Sequence, residues 1–191
     1  VKLFRNLTIV TFIYFLAFFI PLSLNSSSSG SNKDTNDTDI LLEQGNKCLD
    51  SGDTEKAMEI FKKIIDIDPN NALAHNNLGL VYKEKGLFYA AMEEFEKSIE
   101  LMPNYYKAMN NLGSVLYLQG NYEEAIEEFK KTLNAKPDFD IAHWNIALCY
   151  EKTGDDVSAL KHWRQFILCA KDSPYIPYAQ LHIDELLSKQ Q

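Results

Sequence analysis

Glycine recurs every 34 residues along most of this 191-residue chain, at Gly52, Gly86, Gly120 and Gly154. Four further series keep the same period: Ala57, Ala91, Ala125 and Ala159; Phe61, Phe95, Phe129 and Trp163; Gly45, Gly79, Gly113 and Ala147; and Pro69, Pro103 and Pro137, which ends at Lys171. Independent positions that share one period describe a single supersecondary unit stacked on copies of itself, each unit burying its apolar face on the next.

Each position in the unit has a physical role. Units of 34 residues begin at Thr38, Ala72, Tyr106 and Asp140, giving repeats 38–71, 72–105, 106–139 and 140–173. Repeat positions 4, 7, 8 and 11, which are His75, Leu78, Gly79 and Tyr82 in the second unit, follow the spacing of one helical face and predict a first helix, A. Glycine at position 8 admits a close partner helix, and glycine at position 15 ends helix A. A second helix, B, sets alanine at position 20 against that glycine and a ring at position 24 between units, until proline at position 32 stops it. The fold class is all-α.

The second and third units read LG..Y...G....A...F.......P and LG..L...G....A...F.......P from Leu78 and Leu112. This pattern closely resembles the tetratricopeptide repeat family over residues 38–173. The first unit departs from it at Gln44 and Cys48, the fourth at Ala147 and Lys171. The resemblance implies a right-handed superhelical solenoid of antiparallel helix hairpins whose A helices line the concave side. Residues 174–191 contain Ile176, Leu181, Ile183, Leu186 and Leu187 among polar residues, and read as a capping helix over roughly 175–189 or as the first half of a fifth unit.

Positions 2, 5, 6 and 9 form a second face of helix A, and this face is not purely polar. It carries Leu73, Asn76, Asn77 and Leu80 in the second repeat, Lys107, Asn110, Asn111 and Ser114 in the third, and Ile141, Trp144, Asn145 and Leu148 in the fourth, with Tyr117 and Leu118 one turn further. It is the expected partner-binding surface. Trp144 combines apolar area with a polar handle and is the expected hot spot, against a reading in which it packs on the neighbouring repeat. Asn77, Asn111 and Asn145 recur at position 6. A primary amide pairs with a peptide backbone group, and the family resemblance implies a ladder of such amides holding an extended segment of another protein. A solvated asparagine face is the alternative. The family's carboxylate grip on chaperone C-termini is poorly matched, because Asn46, Asn77 and Lys107 fit but Leu42 and Asn111 lack the needed charge.

Lys2 and Arg5 precede an apolar run from Leu7 to Ile20 that, counted generously, reaches Leu24. Residues 1–24 therefore read as a signal peptide or an N-terminal membrane anchor, with the rest of the chain translocated. Leu24 and Asn25 make a poor cleavage site and favour the anchor. Residues 25–37, NSSSSGSNKDTND, read as a disordered linker.

Three of the 19 basic and two of the 27 acidic residues precede Thr38, which leaves a net charge of −9 on the remainder. Nucleic acid, which needs a basic footprint, is excluded as a partner. Cys48, Cys149 and Cys169 form no metal-ligand spacing, and a Cys149–Cys169 bridge stays open. No nucleophile elbow, phosphate loop or metal-binding helix is present, and His75 and His143 read as core residues. Glu93, Glu94, Glu123, Glu124, Glu127 and Glu128 read as solvated outer faces of B helices with i,i+4 partners such as Lys97 and Lys131. The sequence thus predicts an exported, non-enzymatic interaction protein without cofactor or small-molecule substrate. It grips an extended peptide or a protein complex, or else serves as a structural subunit of an envelope or secretion complex.

Overall fold

Where glycine follows each A helix, the backbone takes the left-handed turn that the sequence demands. Gly52, Gly86, Gly120 and Gly154 have φ between 72° and 85°. The next residue then donates its N–H back to the helix, as Leu87 does to the Tyr82 carbonyl at 2.8 Å and Asp155 to the Tyr150 carbonyl at 2.9 Å. The computed structural model, which describes residues 33–189, is helical throughout apart from such turns. The helices are α1 (Lys33–Asp50), α2 (Thr54–Ile67), α3 (Ala72–Glu84), α4 (Phe88–Leu101), α5 (Tyr106–Leu118), α6 (Tyr122–Ala135), α7 (Asp140–Thr153), α8 (Asp156–Ala170) and α9 (Ile176–Ser188).

Successive helices pack as hairpins, α1 with α2, α3 with α4, α5 with α6 and α7 with α8, and each hairpin stacks on the next. The odd-numbered A helices also touch one another across repeats, α1 to α3 to α5 to α7, more closely than the B helices do. An array drawn together on one row of helices curves toward that row, so the A helices line the inner side.

Within each hairpin the small residues do what their spacing implies. Ala57, Ala91, Ala125 and Ala159 are fully buried, as are Phe61, Phe95, Phe129 and Trp163. A Cβ on Gly79 would lie 2.7 Å from the Phe95 ring, and one on Gly113 would lie 2.7 Å from Phe129. The fourth hairpin replaces both members of the pair, with Ala147 and Trp163 buried together in the terminal core. Its missing proline is also explained by the course of the chain. Lys171 takes a left-handed φ of 42°, and Pro177 sits in the first turn of α9, where a missing N–H costs nothing.

Helix α9 closes the array. Ala179, His182, Ile183 and Leu186 face α7 and α8, while Gln180 and Asp184, hydrogen-bonded at 2.9 Å, face outward. The linker boundary expected at residue 37 needs correction, because α1 begins at Lys33. Extending an anchored helix costs far less than nucleating one, so polar residues ahead of the amphipathic part can join it. The expected signal or anchor of residues 1–24, and linker residues 25–32, lie outside the described residues. No described helix is long and apolar enough to cross a membrane.

Candidate partner-binding face

The asparagines of the inner face bond first to one another. Asn111 Nδ2 donates to Asn76 Oδ1 at 2.9 Å, Asn76 Nδ2 to Asn77 Oδ1 at 2.9 Å, and Asn77 Nδ2 to Asn46 Oδ1 at 2.7 Å. This relay crosses α5, α3 and α1. A second link joins Asn145 Nδ2 to Asn110 Oδ1 at 3.1 Å, between α7 and α5. In the third and fourth repeats, position 6 thus donates to position 5 of the repeat before it, 35 residues away, whereas Asn77 reaches back 31 residues to Asn46 at position 9 of the first repeat. Asn76, Asn110 and Asn145 are buried, whereas Asn77 and Asn111 are half-buried. The amides therefore couple neighbouring A helices, and the expected ladder has spent part of its hydrogen-bonding capacity inside the solenoid.

Trp144 is not an exposed hot spot. Only 1% of it is accessible. Its ring meets Trp163 edge-on at 4.8 Å and Phe166 at 5.0 Å, and Tyr175, just before α9, lies 6.3 Å away. Leu148, at 5%, belongs to the same core. The terminal helix and its lead-in cover the part of the fourth repeat that a further repeat would otherwise bury, so the apolar residues expected at the inner face become cap core.

Of the expected residues, Leu73, Asn77, Leu80, Lys107, Asn111 and Tyr117 on α3 and α5 are half-buried, as is Ile141 on α7, and Leu118 is exposed. Burial, followed by the nearby charge of Lys136, holds the Lys107 ammonium below its usual pKa. Burial pushes the Tyr117 phenol up to about 12, so it is a neutral hydroxyl at physiological pH. The face offers apolar side chains, amides and one partly desolvated cation.

His75 and His143 lie in the core as expected, but each has a polar partner across its hairpin. His75 Nδ1 meets Glu94 Oε2 at 2.6 Å and its Nε2 lies 3.1 Å from the Pro69 carbonyl. The same two repeat positions in the fourth hairpin hold His143 and His162, with Nδ1 atoms 3.1 Å apart. On α9, His182 stacks on Trp163 at 4.6 Å and shares Glu151 with the Trp163 indole N–H, at 2.9 and 2.6 Å. The outer faces differ from expectation in two respects. Glu94 and Glu128 are half-buried rather than solvated. Lys97 pairs with Glu100 and Lys131 with Glu128, both i,i+3 rather than i,i+4.

Comparison with known proteins agrees with this geometry. Residues 45–86 match a TPR repeat model, and residues 70–138 and 112–167 match tetratricopeptide repeat models. The crystal structure of MamA is similar at 30% identity with a TM-score of 0.66, over 72% of this chain and 81% of that one. PilF of Pseudomonas aeruginosa shares the fold at 24% identity and a TM-score of 0.76, over 83% of this chain and 71% of that one. So does the O-GlcNAc transferase of Thermobaculum terrenum, at 23% identity and a TM-score of 0.68. There the match covers 72% of this chain but only 27% of the enzyme. None of the curated protein sequences matches. The stacked hairpins and their inner face define a helical-repeat scaffold for protein–protein interaction. The chain belongs to the tetratricopeptide repeat family, whose repeats are generally non-enzymatic.

Proposed function

We propose that this protein is an exported adaptor, held at a membrane by its N-terminal segment or released beyond it, that seats an extended segment of another protein along the inner face of its second and third hairpins. The observation that carries this reading is the half-buried strip of Leu73, Asn77, Leu80, Lys107, Asn111 and Tyr117 on the row of helices toward which the array curves. Apolar side chains supply contact area there, and each amide keeps hydrogen-bonding capacity beyond its bond within the relay. Export rests on the Lys2 and Arg5 charges ahead of the apolar run.

A photo-crosslinking residue placed at position 107 should capture a partner from native membranes, and the same residue at position 59, on the outer surface of α2, should not. Equal capture from both positions would remove the inner face from consideration. Alkaline extraction of membranes combined with N-terminal sequencing tests export. An uncut chain in the pellet marks an anchor, a shortened soluble chain marks a signal, and an uncut chain in the cytosol rejects both.

A further inference from the structure

Among the described residues, the three most exposed large apolar side chains are Tyr89 at 81%, Val157 at 73% and Leu168 at 70%. None lies on the inner face. Tyr89 sits on the outer face of α4, the other two on the outer face of α8. The two faces are built in the same register. Repeat positions 18, 22, 25 and 29 hold Tyr89, Glu93, Glu96 and Glu100 on α4, and Val157, Lys161, Arg164 and Leu168 on α8. Glu100, bonded to Lys97 at 2.9 Å, matches Leu168, but where α4 carries Glu93 and Glu96, α8 carries an ammonium and a guanidinium.

These charges are not neutralised within the protein. Glu93, Glu96, Lys161 and Arg164 are exposed and form no ion pair among the described residues. The corresponding positions of α2 and α6 are occupied differently. Glu55 pairs with Lys85 and Glu127 with Lys130, and position 18 is glutamate in both helices. Beside the α8 face lies a groove of about 410 Å³, lined by Val157, Leu160, Lys161, Arg164, Gln165 and Leu187. Its apolar residues come from the last hairpin and the capping helix, so it lies at the end of the array.

We infer that the outer face of α4 in one copy of this chain docks on the outer face of α8 in a second copy. A parallel alignment places the Tyr89 ring in the groove beside Val157 and Leu187, Glu93 against Lys161, and Glu96 against Arg164. The two surfaces are different, so the contact is heterologous: each copy retains a free α4 face at one side and a free α8 face at the other, and association continues into a ring or an open chain. Apolar anchors supply contact area, and the matched charges set register and partner choice. The contact is independent of the inner-face reading, because it uses only convex surface.

Sedimentation velocity of the full chain, in a mild non-ionic detergent, tests this. The wild type should show a sedimentation coefficient that rises with protein concentration and falls with added salt. Lys161→Glu with Arg164→Glu, and separately Glu93→Lys with Glu96→Lys, should each abolish that rise. An equimolar mixture of the two variants should assemble again, since acidic and basic faces then meet only between unlike copies. A single chain carrying all four changes should also self-associate, which shows that loss in the parent variants is not misfolding. A wild type that stays monomeric at every concentration, association that survives either charge reversal, or a mixture that fails to reassemble would each overturn the contact.

Discussion

At the scale of single residues, the absence of a methyl group decides how closely the helices of a hairpin approach. The Phe95 ring lies where a Cβ on Gly79 would be, 2.7 Å away, and it is fully buried with nowhere to move. Gly79→Ala gains helix propensity of about 1 kcal/mol but forces strain of about 1–3 kcal/mol. A net loss of up to about 2 kcal/mol is expected in chemical denaturation. Asn145→Ala removes the bond to Asn110 and leaves a buried amide oxygen without its donor. It should cost about 1–2 kcal/mol in the same measurement, a stabilising role that a purely ligand-facing amide would not have. The glycine and its ring were legible because both recur with the period and each fits one geometric need. The asparagines were not, because an amide pairs equally well with a ligand backbone or with another amide, and its place in the repeat does not say which it meets.

At the scale of elements, the fourth hairpin sets two histidines face to face where the second pairs His75 with Glu94. His143 and His162 face each other across α7 and α8, and one proton bridges two Nδ1 atoms only if at least one ring is neutral. Burial, then the neighbouring charges of His143, Lys161 and Lys130, pushes His162 down to about 4. Burial also lowers His143, although the Pro137 carbonyl and Asp140 oppose the shift. In the unfolded chain both rings take protons near pH 6.5, so between about 4 and 6.5 the unfolded state binds more protons than the folded one. Stability therefore rises with pH across this window and is lost as the pH falls through it. His162→Phe should flatten the dependence of unfolding free energy on pH there, by about 1–2 kcal/mol once partial exposure is discounted, as chemical denaturation at several pH values would show. The start of α1 at Lys33 belongs to this scale too. Apolar periodicity marks where a helix becomes amphipathic, not where its backbone begins.

At the scale of the whole molecule, each hairpin contacts only its neighbours, so stability is shared along the array and the ends are its weak points. Helix α9 protects one end by covering Trp144, Trp163 and Phe166. Removing residues 174–191 uncovers these rings along with the surface that Ala179, Ile183 and Leu186 bury, a loss of several kcal/mol. The truncated protein should bind a hydrophobic dye more strongly, and hydrogen exchange should show the amides of α7 and α8 losing protection before those of α3 to α6. Unchanged protection in α7 and α8 would show that the last hairpin stands without its cap.

The amino-acid order alone determined the hairpin unit, its period, its buried rings and the glycines that turn it, because these follow from contacts inside one repeat or between identical neighbours. Only the tertiary structure decided that Trp144 and Leu148 are core, that the asparagines join repeats, and that Tyr89, Val157 and Leu168 stay exposed. Each of these depends on what stands opposite a side chain after the array has curved and its end has closed, and a position within a repeat carries no record of that.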